Sequence, residues 1–144
     1  MSTRAAIHFE YPGSGDTEAI VYRHSDGYPD GLGQDLVRFI EEVRTLRDTR
    51  LGDPSYLAAK WVVFDVLEHQ AYMAKSNADN EKIGQEPYYM LERLGFLGTG
   101  IVNKDPSDIE YRYHVVCDGK VETIAWDGGF GDKWDEHGVM KVVG

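Results

Sequence analysis

A single cysteine, Cys117, leaves no internal disulfide and no cysteine-built zinc site. No apolar run approaches the roughly 18 to 20 residues that a membrane-spanning helix needs. The N-terminus, MSTRAAIHFE, lacks the apolar core of a secretory signal. Basic residues are scarce, with 15 Lys and Arg against 25 Asp and Glu and a formal net charge of −10. The acidic residues are spread along the chain rather than gathered into a tail. Such a surface repels phosphate backbones at long range, which disfavours direct binding of DNA or RNA. It suits a protein partner that is basic or itself binds nucleic acid, and it also serves solubility. The compartment expected on these grounds is the cytoplasm, with no membrane partner.

Signatures of catalysis and cofactor binding are equally thin. The five histidines, His8, His24, His69, His114 and His137, include no HxxxH or HExxH pair, so no metal is expected. Gly31 and Gly33 begin a GxGxxG pattern that fails at Leu36, and Gly-Lys-Ser/Thr of a phosphate-binding loop is missing, so no cofactor is expected. A GxSxG elbow is lacking, and Cys117 falls on the apolar side of its segment as a core residue. The acidic tail residues Asp127, Asp132, Asp135, Glu136 and His137 do not follow the spacing of a calcium loop.

What remains is an ordinary globular composition, 42% hydrophobic and 28% charged, of one-domain length over residues 1–144. Alternation over Thr3 to Phe9 predicts a half-buried strand, and Glu18 to His24 its hairpin partner after the turn-rich YPGSGD. Leu32, Leu36, Phe39, Ile40, Val43 and Leu46 recur at helical spacing and predict a helix ending near Leu51–Gly52. Asp53-Pro54 starts a second helix whose stripe is Leu57, Trp61, Phe64 and Leu67 and which runs to about Met73. Lys75 to Gln85 reads as a loop, and Pro87 to Leu94 as a short third helix. A brief strand is expected at Gly98 to Val102, and a clear one at Ile109 to Cys117. Asp118-Gly119 then signals a tight hairpin into Val121 to Trp126. The DGGFG run at 127–131 breaks regular structure, and Val139 to Val143 adds an edge strand. Strands segregated from helices predict an α+β fold: an antiparallel sheet of about five strands with two main helices packed on one face.

The stretch YRHSDGYPDGLGQDL, Tyr22 to Leu36, holds the densest polar chemistry. Its glycines and aspartates are accounted for by turns and a helix cap. Arg23, His24 and Tyr28 are not, because turn-making does not require them. With Asp26, and with His8 from the neighbouring strand, they are candidate ligand-binding residues: histidine beside aspartate suits acid–base work, and arginine clamps a carboxylate or phosphate. The same residues also fit a polar network that locks the hairpin to the helix. Trp134, set among charges in DKWDE, is a candidate partner anchor.

Four blocks, STRAAIHFE, VYRHSDGYPDGLGQDL, DPSYLAAKW and DIEYRYHV, resemble a family of small uncharacterised proteins from phages and bacteria. The resemblance rests chiefly on Tyr-Arg-His-x-Asp-Gly-Tyr-Pro, with Ser25 standing where that segment carries an aromatic residue. It implies a phage or mobile-element setting and supplies no catalytic residues. The expectation is a small acidic binding protein acting on a host or defence protein. The alternative is a small-ligand or nucleotide-binding protein, or an enzyme, built on Arg23, His24, Asp26 and Tyr28.

Overall fold

A computed structural model describes residues 2–13, 16–82, 84, 98–130 and 133–143. The chain divides into two compact units, Met1–Trp61 together with Gly98–Gly144, and Val62–Leu97. In the first unit six strands form one sheet in the order β3-β2-β1-β4-β5-β6. They are β1 (Ala5–Glu10), β2 (Thr17–Arg23), β3 (Thr99–Val102), β4 (Tyr111–Val116), β5 (Thr123–Phe130) and β6 (Lys133–Lys141). The fold is α+β, and every neighbouring pair is antiparallel except β1 with β4, which run parallel.

Period-two alternation decides the faces. Ile7 lies opposite Val21 on one side and Tyr113 on the other, and Tyr113 opposite Trp126. These residues, with Ala5, Phe9, Val115 and Ile124, form the face that receives α1 (Gln34–Val43), whose Leu36, Val37, Phe39, Ile40 and Val43 are buried. Leu57 and Trp61, at the start of α2 (Pro54–Lys82), are buried as well, and Trp61 meets Phe39 edge-on at 5.5 Å between ring centroids. All six residues of β1 are buried, not alternate ones as expected, because the opposite face is covered too. There Ala6, Ile20 and Ile109 form a second, smaller apolar cluster backed by Tyr22, Val102 and Trp134.

That second cover is the connection from β3 to β4, residues 103–110. Both strands run parallel to β1 but lie on different sides of it, so the connection crosses the face opposite α1 as a strap. Ile109 is sealed beneath it, the Glu110 amide donates to the Arg4 carbonyl at 2.8 Å, and Asp108 pairs with Arg4 at 3.3 Å.

Several boundaries differ from those expected. The first helix opens as a wide π-helical turn over Pro29–Gly33 and ends at Val43; Leu46 beyond it is exposed, so no apolar stripe remains to hold another turn. Helix α2 continues to Lys82, because no glycine or proline interrupts it before Gly84, which sits at φ 74° and ends it. Leu67, expected in the buried stripe, is exposed. The run DGGFG does not break β5, because its glycines let other groups approach the strand closely. A Cβ on Gly128 would stand 2.8 Å from the Tyr111 ring, and one on Gly129 would overlap the Lys133 backbone. Asp118-Gly119 is no two-residue hairpin; the turn spans Cys117 to Glu122 and is held by the Asp118 carboxylate. The helix expected at Pro87 to Leu94 lies outside the described residues. In the second unit the described residues are helical from Val62 to Lys82, with Val63, Leu67 and Tyr72 exposed and Asp65 buried.

Candidate functional site

On the face opposite α1, β1 presents His8 and Glu10, and its parallel neighbour β4 presents Arg112 and His114. His8 and His114 stand directly opposite each other, with ring centroids 5.6 Å apart. Strand β5 adds Asp127, and the strap adds Asp105. His114 bridges two carboxylates, Nδ1 to Glu10 Oε2 and Nε2 to Asp127 Oδ2, each at 2.8 Å. A neutral imidazole has one N–H, and ionised carboxylates only accept. The pair of bonds therefore requires one further proton, on the ring or on a carboxyl. His8 Nε2 reaches Asp105 Oδ1 at 2.6 Å and its Nδ1 reaches Thr17 Oγ1 at 2.9 Å. With Asp105 ionised, Nε2–H donates to the carboxylate and Nδ1 accepts from the threonine hydroxyl.

Arg112 ties the two histidine systems together, with Nη1 3.2 Å from Asp105 and Nη2 3.6 Å from Asp127. Its guanidinium lies 5.0 Å over the Trp134 ring, and its Nε is buried without a partner among the described residues. Both nitrogens of each imidazole are engaged inside the protein, and the network fastens the strap to the sheet.

The residues of Tyr22–Leu36 are placed on either side of the sheet rather than in one pocket. Arg23, on the helix-bearing face, pairs with Asp35 of α1 at 3.8 Å, tying hairpin to helix. His24, exposed, accepts at Nδ1 from Tyr22 Oη at 2.9 Å and lies 3.5 Å from Arg4 Nε. Burial first, then Asp108, pushes the Tyr22 phenol up, with Arg4 opposing. Asp26 takes φ 55°, which places Gly27 against the N-terminal segment: its amide donates to the Thr3 carbonyl at 3.0 Å. Tyr28 is exposed, and its hydroxyl stands 3.4 Å from Asp26 Oδ1. The geometry does not bring Arg23 and His24 together, and His8 belongs to the separate network beneath the strap. Trp134 is half-buried against the Ala6 cluster and Arg112, not a free anchor.

A second concentration of charge lies around Tyr111. A shallow cleft of about 310 Å³ is lined by Glu110, Tyr111, Gly129, Lys133, Asp135 and Glu136. Burial raises the Tyr111 phenol above its ordinary value, and the negative charges of Glu136, Glu110 and Asp30 raise it further. Carboxylates thus converge from the helical turn, the end of the strap and β6, with Lys133 the cation among the cleft's lining residues. Trp126 supports the Tyr111 ring edge-on at 5.7 Å. From the Tyr22–Leu36 stretch, Asp30 reaches this cleft electrostatically.

The sequence carried a partial signal for the network. His8 with Glu10, and Arg112 with His114, are polar residues two apart on otherwise apolar strands. They converge only if β1 and β4 are neighbours, and no local pattern encodes that pairing. Glu110, Asp135 and Glu136 gave no signal beyond their charge. Among the described residues no group of His, Cys, Asp and Glu is arranged to hold a metal ion, and no helix is long and apolar enough to cross a membrane. Comparison of the chain with known protein families, curated proteins and solved structures finds no match.

Proposed function

We propose that this chain is a binding protein that docks on a basic protein partner, with the cleft around Tyr111 receiving a lysine or arginine side chain. The observation that carries this reading is the convergence of Glu110, Asp135 and Glu136, with Asp30 nearby, on a half-buried aromatic ring. A cation entering the cleft exchanges water for several carboxylate oxygens and meets the face or edge of a tyrosine. The overall charge of −10 adds long-range attraction for the same class of partner. The family resemblance points to host or defence proteins as the pool from which the partner comes.

The test pairs affinity capture from a bacterial lysate with a variant carrying Asp135→Asn and Glu136→Gln. Both residues are exposed, so the fold is spared. The reading expects a basic protein retained by the wild type and released at higher salt. The double variant should weaken its binding by about tenfold or more, tenfold being near the lower end of what close charge pairs at interfaces contribute. Equal retention by both proteins, or retention insensitive to salt, sinks the cleft as the docking point.

A further inference from the structure

Thr17, His8 and Asp105 stand in a line of hydroxyl, imidazole and carboxylate. The Thr17 hydroxyl lies 2.9 Å from His8 Nδ1, and His8 Nε2 lies 2.6 Å from Asp105 Oδ1. The imidazole at the centre of the line is its most buried member and the hydroxyl its most exposed. The His8 side chain is 11% exposed and that of Asp105 23%, while Thr17 at the outer end is exposed. Asp105 is itself fixed by Arg112, so the carboxylate that orients the ring has its own positioning contact. The end of the relay also coincides with an irregularity. Glu10 pairs with Thr17 and Phe9 with Ala19, which leaves Glu18 as a bulge residue outside the register, next in sequence after the hydroxyl. Bulges of this kind recur beside active sites, where they aim a side chain away from the ladder.

We infer that Thr17 is a nucleophile toward acyl esters, with His8 as its general base and Asp105 as the positioning residue. The relay is the hydroxyl–imidazole–carboxylate arrangement of acyl-transfer enzymes, recognised by geometry rather than by sequence order, with the roles of the two ring nitrogens exchanged. Thr17 Oγ1 attacks the ester carbonyl carbon and its proton passes to His8 Nδ1. The carbon–oxygen bond to the leaving alcohol breaks, and His8 returns the proton to that alcohol. Water then attacks the acyl-threonine, its proton passes through His8 to Oγ1, and the carboxylic acid departs. The tautomer set by Asp105 is the one this needs, since it keeps Nδ1 free of a proton of its own. The site is separate from the Tyr111 cleft, so either proposal stands or falls without the other.

The probe is p-nitrophenyl acetate near neutral pH, read by peptide mass mapping and by release of nitrophenolate. The expected result is an acetyl group on Thr17 in the wild type and in Thr17→Ser, and none at that peptide in Thr17→Ala. His8→Gln should slow acetylation at Thr17 by at least about tenfold, the lower reach of a lost general base being larger still. Asp105→Asn should slow it too, with a changed pH profile, whereas a merely structural carboxylate would leave the profile alone. Circular dichroism of each variant separates loss of reactivity from loss of fold, and Thr17→Ser retains the network whatever His8→Gln does. Acetylation confined to lysines and the N-terminal amine, or labelling of Thr17 at the same rate in a folded His8→Gln protein, overturns the assignment.

Discussion

Asp118 holds the turn between β4 and β5 by accepting amide protons from Lys120 at 2.9 Å and Val121 at 2.8 Å. Those bonds pull its carboxyl below the ordinary carboxylate range. They also help to hold Val121 at φ 50°, an uncommon conformation for a β-branched residue, while Arg44 from the end of α1 grips the Lys120 and Val121 carbonyls. A group with a lowered folded value contributes stability that is present above its unfolded value and lost as pH falls through the folded one. Asp118→Ala should therefore cost about 1 kcal/mol near neutral pH, where two amides lose their acceptor. Urea unfolding in acid should show the gap to the wild type closing. Next to it, burial pushes the Cys117 thiol up to about 12. The sign is opposite: the contribution is present below the unfolded value and lost as pH rises toward the folded one. Near neutral pH a thiol reagent should modify Cys117 only through opening of the sheet, at a rate that climbs with added denaturant. Fast modification of the native protein contradicts its burial.

At the scale of elements, the strap over residues 103–110 depends on Asp105, which serves both His8 and Arg112. Asp105→Ala should destabilise the protein by about 2 kcal/mol, since two charge-assisted bonds go and partly buried donors are stranded. Limited proteolysis should then cut near the strap sooner than in the wild type. Glycines give a sharper contrast. A Cβ on Gly27 would lie 2.7 Å from that of Ala5 and 2.9 Å from the Thr3 carbonyl, whereas one on Gly52 meets nothing nearer than 4.0 Å. Gly27→Ala should cost about 1 to 3 kcal/mol, as overpacking does. Gly52→Ala should melt within a degree or two of the wild type, in keeping with a near-neutral surface change. Strands β1 to β4 and the helix starts were legible in the sequence because alternation, helical spacing and Asp53-Pro54 are local signals, whereas β5 and β6 run through the glycine-rich and acidic residues that read as loop. The strap was not legible: NKDPSD reads as any polar turn until the sheet order shows which strands it joins. The end of α2 was missed for a related reason. Ser76, Asn77 and Asp79 are weak helix formers, but none of them stops a helix.

For the whole molecule, a net charge of −10 makes ionic strength the natural control on association with a basic partner. Stopped-flow or surface-based kinetics should show the on-rate falling by about tenfold or more between low and physiological salt, with the off-rate changing less. An on-rate indifferent to salt removes the electrostatic basis of the docking reading. The α+β class was legible from segregated strands and helices. The site was only partly so, because both candidate clusters draw their members from distant parts of the chain. His8 was singled out as a histidine on a strand, yet its partners Thr17 and Asp105 come from a facing strand and a remote connection.

The parallel pairing of β1 with β4 has a consequence for how the protein is made. Strand β1 leaves the ribosome with one neighbour close behind it in β2, while the other is synthesised about a hundred residues later, and closing so large a loop carries an entropic cost of several RT. During synthesis one edge of β1 therefore waits without its partner, and the polar pair His8 and Glu10 waits with it. The strap can close only after β4 has seated. A nascent chain stopped before Tyr111 should remain open to protease at β1, and the full chain should fold slowly for its size, as long-range topologies do.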